Sequence, residues 1–198
     1  MPKFVDHTQR RFELADACVA LVATEGLEAA SMRRLAEAAN CTTGSLTHYF
    51  PNRTALLIAM LRHVHDAAGK RMLTALAGEE TPRKQLEAVL HESLPLDTLR
   101  FKEWRVWLAF WGEVLSSPDL AKEHAARYGE WKKLLMSLTS SRKLPLEHQQ
   151  RFVTRLIATV DGFGLQIAMC SSPNTKSAIT LQQECNIALQ ETLAQIYA

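Results

Sequence analysis

Apolar residues recur along the chain at spacings of three and four, the period of an amphipathic helix, in segments separated by Gly, Pro, Asn and short hydroxylated residues. The first segment spans about 8–25, with Phe12, Ala15, Val19 and Val22 as its stripe and Gly26 placed as a left-handed C-terminal cap. Ser31 then caps a short helix carrying Met32, Leu35, Ala36 and Ala39 inward. Asn40-Cys41 makes a tight turn, and Thr42 caps a third short helix that ends near Tyr49. A long fourth helix begins at Asn52 and carries Leu56, Met60, Val64 and Ala67 as a stripe to about residue 76. Farther on, Thr81-Pro82 and Ser117-Pro118 each place a cap before a Pro at the first helical position. They bound helices over about 82–94, 100–116 and 118–139, and two more follow Pro145 and Pro173, over about 147–170 and 176–196. Period-two alternation is absent, and Asp161-Gly162 lies inside a helical pattern instead of a hairpin. The expected fold is therefore all-α with nine helices: an N-terminal three-helix helix-turn-helix domain over 1–52 and a C-terminal helical bundle over 53–198, connected by the helix 53–76.

Composition narrows the class. With 47% apolar and 22% charged residues in 198, the chain suits a folded globular protein and excludes a disordered one. Its longest apolar run, 55–61, is far short of a membrane span, and the N-terminus is charged from Lys3 onward with no apolar signal region. A cytoplasmic protein without membrane contact is expected. Cys18, Cys41, Cys170 and Cys185 show no metal-ligand spacing and read as reduced thiols; neither a metal nor a cofactor is expected. The net charge of +2 is uninformative as a total, but residues 29–56 hold Arg33, Arg34 and Arg53 against Glu37 alone, so the whole excess falls in one segment.

That segment contains the sharpest pattern, SMRRLAEAANCTTGSLTHYF at 31–50: two short helices joined by a turn too tight for anything but a large crossing angle. The second helix presents Thr42, Thr43, Ser45 and Thr47 and keeps Leu46 and Phe50 for the core. A short polar helix is often no more than a solvated face. Small hydroxylated side chains and Gly44 also suit close approach to base edges and phosphates in a major groove. TTGSLTHYF followed by Asn52, Arg53 and Leu56, with Ala36, Ala39, Gly44, Leu46, Tyr49 and Phe50 as framework, resembles the recognition helix of the TetR family of bacterial transcriptional regulators. The family's usual Gly-Val-Ser turn is here Asn40-Cys41-Thr42, which Asn still permits, and an aromatic often found before His48 is Thr47. The resemblance implies base contacts from Thr43, Ser45 and Thr47, and phosphate contacts from Thr42, His48, Tyr49 and Arg53, with Ser31, Arg33 and Arg34 beside them.

The C-terminal part gathers aromatics. All four tryptophans lie between Trp104 and Trp131, and Trp104, Trp107 and Trp111 share one helix face with Phe110 beside them. Such a stripe is either core or a pocket lining, and indole faces attract cations. EWRVWLAFWGEVLSSPDL, EWKKLL, KLPLEHQQ and TVDGFGLQIAM resemble the C-terminal domain of the choline-responsive, BetI-type repressors within the same family. The resemblance implies a small-molecule effector, cationic or else aromatic and hydrophobic, held among Trp104, Trp107, Phe110, Trp111, Tyr128, Trp131 and Phe163, and Glu103, Glu113 or Asp161 could supply the counter-charge. A bulky aromatic that follows Asp-Gly-Leu in those relatives is replaced here by Gly164, which implies a reshaped pocket or altered helix packing.

The last two helices are apolar on more than one side, which suits a four-helix interface with a second copy through Phe152, Leu156, Val160, Ile167, Leu181, Cys185 and Leu189. A homodimer places two recognition helices on a near-palindromic double-stranded operator, and an effector that presses on the fourth helix releases it. The competing classes are a helical scaffold or interaction protein, which needs no polar recognition helix, and a small-molecule enzyme. Against the enzyme, the sequence holds no phosphate loop, no GxSxG and no HExxH.

Overall fold

The computed structural model describes residues 7–28 and 30–197. Among these lie nine α-helices and no strand: α1 (His7–Glu25), α2 (Met32–Ala38), α3 (Thr43–Tyr49), α4 (Arg53–Ala77), α5 (Pro82–Glu92), α6 (Thr98–Val114), α7 (Pro118–Thr139), α8 (Leu146–Ala168) and α9 (Lys176–Tyr197), with one 3-10 turn (Ser140–Arg142) between α7 and α8. The chain divides into two compact units, one comprising residues up to Asp66 together with Arg105–His124, the other Ala67–Trp104 together with Ala125–Ala198. The boundaries fall inside α4, α6 and α7, so the units do not coincide with a division of the sequence at residue 52.

In the first unit the short helices start where side-chain caps replace missing backbone partners. Ser31 Oγ accepts from the Arg34 amide (3.3 Å), Thr42 Oγ1 from the Ser45 amide (3.0 Å) and Asn52 Oδ1 from the Ala55 amide (2.8 Å). Gly26, at φ 81°, ends α1, and Asn40 takes φ 49° between α2 and α3, the left-handed step its short amide side chain tolerates. Leu14, Cys18 and Val22 of α1 pack with Leu35, Leu46, Phe50, Leu56, Met60, Val64 and Phe110 in one core. The expected α1 stripe is off in phase at its start. Leu14 takes the inward position, and Phe12, two residues and some 200° away around the helix, is 45% exposed with its ring 4.2 Å from that of His63.

The second unit buries Leu86, Val89 and Leu90 of α5, Phe101 and Trp104 of α6, Leu135 of α7 and the inner faces of α8 and α9. Several of its interior polar groups are paired. Gln149 donates to the Met136 carbonyl and to Thr139 Oγ1 (2.7 and 2.9 Å). Arg71 grips Glu103 and reaches Glu92, while Arg100 binds Asp97 and Glu92. At Gly164 of α8 the indole of Trp104 lies where a Cβ would be, and the indole N–H donates to the Ser93 carbonyl at 2.8 Å. Gly164 is therefore the socket of a helix contact.

The expected dimer stripe is corrected by this packing. Phe152, Leu156, Val160, Ile167, Cys185 and Leu189 are already buried in the single chain, and Leu181 is half-buried, so the inner faces of α8 and α9 serve the subunit itself. A second apolar set is exposed instead: Leu165 on α8, Met169 at its C-terminal cap, and Ile179 and Ile187 on α9. Helical spacing alone could not say which face looked inward.

Candidate nucleic-acid interface and effector site

α3 has seven residues, too few to be stable as an isolated helix, and is fixed from outside. Leu46 and Phe50 are wholly buried beneath it, whereas Thr42, Thr43, Gly44, Thr47 and His48 are exposed and Ser45 and Tyr49 half-buried. The Thr47 hydroxyl donates back to the Thr43 and Gly44 carbonyls (3.0 Å each), and the residue remains exposed. At the C-terminal end, Arg11 of α1 donates to the Tyr49 carbonyl (2.8 Å) and lays its guanidinium 4.6 Å from the centre of the Phe50 ring. It meets the negative end of the helix, where carbonyls lack partners. Arg11 was not among the expected residues; a basic pair on α1 carries no positional signal until the end of α3 is seen beside it.

The arginines separate into different roles. Arg33 leaves 82% of its side chain exposed and makes one loose pair with Glu37 (3.6 Å). Arg34 is bound to Glu25 at 2.6 Å, also at the surface. Arg53, expected at a phosphate, is instead an internal clamp: its Nη2 donates to the Leu27 carbonyl (3.0 Å), its Nε to the Ala30 carbonyl (3.4 Å) and its Nη1 to Glu113 (3.4 Å). Arg33→Ala is expected to lower the slope of log affinity against log salt by about 1, the signature of one lost phosphate contact. Arg53→Ala should leave that slope unchanged while lowering the thermal midpoint. Salt titrations and melts of the two variants check this, and the reverse pattern would return Arg53 to the DNA.

The nine candidate effector residues fall in both units. In the first, Phe110 is fully buried in the core, Trp107 packs against that core with its ring 6.4 Å from His65, and the Trp111 ring meets His124 edge-on at 6.3 Å. Glu113 is held by Arg53, which corrects its expected part as counter-charge to an effector. In the second, Trp104 is committed to Ser93 and Gly164.

What remains is a small group on α7 and α8. The Tyr128 hydroxyl donates to Asp161 Oδ2 at 2.7 Å, and the Trp131 ring stands edge-on to that of Tyr128 with centroids 5.9 Å apart. The Trp131 indole N–H is buried without an acceptor among the described residues, and Phe163 is half-buried two residues beyond Asp161. Burial pushes the Asp161 carboxyl up to about 6, an effect the Tyr128 hydrogen bond only partly offsets. The Tyr128 phenol is itself pushed far above its ordinary value, first by burial and then by the neighbouring carboxylate. No Lys, Arg or His among the described residues bonds to Asp161. A shielded carboxylate without a cation, beside π systems, is a ready counter-charge for one.

Residues 14–60 match the family model of bacterial regulatory proteins of the tetR family, and residues 82–191 match that of the BetI-type transcriptional repressor C-terminal domain. The HTH-type transcriptional regulator BetI of Paraburkholderia phytofirmans is 30% identical over 191 residues, covering 93% of this chain and 95% of its own. A transcriptional regulator from Rhodococcus sp. Rha1 superposes with a TM-score of 0.80 at 26% identity, over 94% of this chain and 95% of its own. One from Saccharomonospora viridis, solved in complex with choline, superposes with a TM-score of 0.80 at 21% identity, over 92% of this chain and 96% of its own, and so shares the fold. The chain belongs to the TetR family, in its BetI-type branch. It is a ligand-responsive, DNA-binding transcriptional regulator and not an enzyme. Among the described residues no helix is long and apolar enough to cross a membrane.

Proposed function

We propose that this regulator acts in the cytoplasm as a homodimeric repressor that leaves a near-palindromic operator when a small cation enters the Tyr128–Trp131–Asp161 group. The observation that carries the effector class is Asp161: a largely buried carboxylate bonded to a neutral phenol and to no cationic side chain. A purely hydrophobic effector would leave that charge unpaired or require it to take up a proton, a cost that a cation does not incur. On the DNA side, Thr43, Ser45 and Thr47 read bases, while Ser31, Arg33, Arg34, Thr42, His48 and Tyr49 hold the backbone. Exposed Leu165 on α8, Met169 at its C-terminal cap, and Ile179 and Ile187 on α9 supply the apolar surface for the second copy.

The test uses an operator fragment obtained by selection from random-sequence DNA, with binding followed by anisotropy and subunit number by sedimentation. Choline should weaken operator binding by about 5–150-fold, the usual range of allosteric coupling, and operator should weaken choline binding by the same factor. Its neutral isostere 3,3-dimethyl-1-butanol should do neither. Equal action by the isostere would move the effector to the aromatic or hydrophobic class. Sedimentation as a monomer, or as a dimer undisturbed by Met169→Asp with Ile187→Asp, would reject the α8–α9 interface.

A further inference from the structure

The Asp161 site has an acid–base property of its own, separate from its choice of ligand. Among the described residues the Asp161 carboxyl receives one hydrogen bond, from Tyr128, a group that stays protonated throughout the accessible pH range. On α8 no ionisable residue follows it, since 162–168 reads GFGLQIA. On α7 the nearby Arg127 and Glu130 pair with each other at 2.8 Å. The charged residues of α9, Lys176, Glu184 and Glu191, are exposed, and none acts on the carboxyl. No fixed positive charge therefore holds Asp161 ionised, and burial favours its neutral form.

We infer that a proton and the cationic effector compete for the Asp161 carboxylate, so that effector response fades as the cell interior acidifies. This rests on the cationic reading of the site. The chemistry is one acid–base equilibrium. With the proton on, the carboxyl is neutral and offers a cation only a dipole. When a cation enters, the carboxylate form is selected and the proton leaves to solvent, with no covalent change.

The apparent affinity then follows the fraction of carboxylate, as for any ligand that requires one protonation state. With the midpoint near 6, affinity is nearly constant above pH 7.5 and falls by about tenfold between pH 8 and pH 5. Tyr128→Phe removes the one donor to the carboxylate, so the fall begins at higher pH. Asp161→Asn binds weakly at every pH and shows no slope.

The experiment is calorimetric titration of the full-length protein with choline chloride at pH 5, 6, 7 and 8. At pH 6 it is repeated in two buffers of different ionisation enthalpy to count protons released by the wild-type protein. A tenfold loss at pH 5, with about half a proton released per choline at pH 6, supports the proposal. The wild-type proton count stands even if a variant folds poorly. Choline bound with equal affinity at pH 5 and pH 8 and with no proton release overturns the competition while leaving the cationic site intact. Failure of choline to bind at pH 8 overturns the cationic reading itself, and the competition with it.

Discussion

Gly164→Ala is expected to destabilise the protein by about 2–3 kcal/mol, measured as a lowered urea midpoint. Alanine is the better helix former by about 1 kcal/mol, so propensity alone predicts the opposite sign. Sterics decide the matter. A Cβ at this position falls on the six-membered ring of Trp104, and that indole cannot swing away without breaking its hydrogen bond to the Ser93 carbonyl. Two variants sharpen the result. Gly112→Ala, an exposed α6 position with nothing within 4 Å of the added methyl, should stabilise by up to about 1 kcal/mol. Combined with Trp104→Ala, Gly164→Ala should cost much less than it does alone, because the cavity left by the indole accepts the methyl; additivity of the two changes would refute the socket.

The second large effect is on the unliganded protein, where Asp161→Asn is expected to raise stability above pH 7 by on the order of 2 kcal/mol. The sign follows from the direction of the shift. Burial raises the folded-state value from the ordinary carboxylate range to about 6, so between about pH 4 and 6 the folded protein holds more protons than the unfolded chain. The wild type must therefore lose stability as pH rises through that window, and above it the full cost of an ionised, shielded carboxylate is present. Asparagine never ionises and can still accept from Tyr128. The difference in stability between the variant and wild type should be near zero at pH 4 and reach its plateau by pH 7.5. Denaturation of both proteins across this range checks it, and a variant less stable than wild type at pH 8 would mean that the carboxylate has a favourable partner after all.

Much of this was legible in the sequence because caps and breakers are local. Ser31, Thr42, Thr81-Pro82 and Ser117-Pro118 marked helix starts that the structure bears out, and Asn40 was expected to take the left-handed step it takes. Leu46 and Phe50 were separable from the hydroxylated face of α3 by period alone. Three long-range facts were not legible. Arg53 looked like a phosphate ligand until its bonds to the Leu27 and Ala30 carbonyls and Glu113 were seen, partners 23 to 60 residues away. Apolar residues stand on more than one side of α8 and α9, and only packing decides that Phe152 and Leu156 turn inward while Leu165 and Met169 stay exposed. The Gly164 departure pointed to either the pocket or the helix packing, and the position of Trp104 assigns it to packing.

The attachment of α3 also bears on how a chain of this kind acquires a new address on the chromosome. Its orientation comes from Leu46 and Phe50 below, from Arg11 on another helix and from the cap at Thr42. Among the described residues, the outward Thr43 and Thr47 make no side-chain bonds beyond their own helix. Replacing them perturbs little of what keeps the subunit folded. On the proposed base-reading role of Thr43 and Thr47, operator preference can thus drift without crossing a stability threshold, and the same scaffold can be redirected by a few substitutions on one surface.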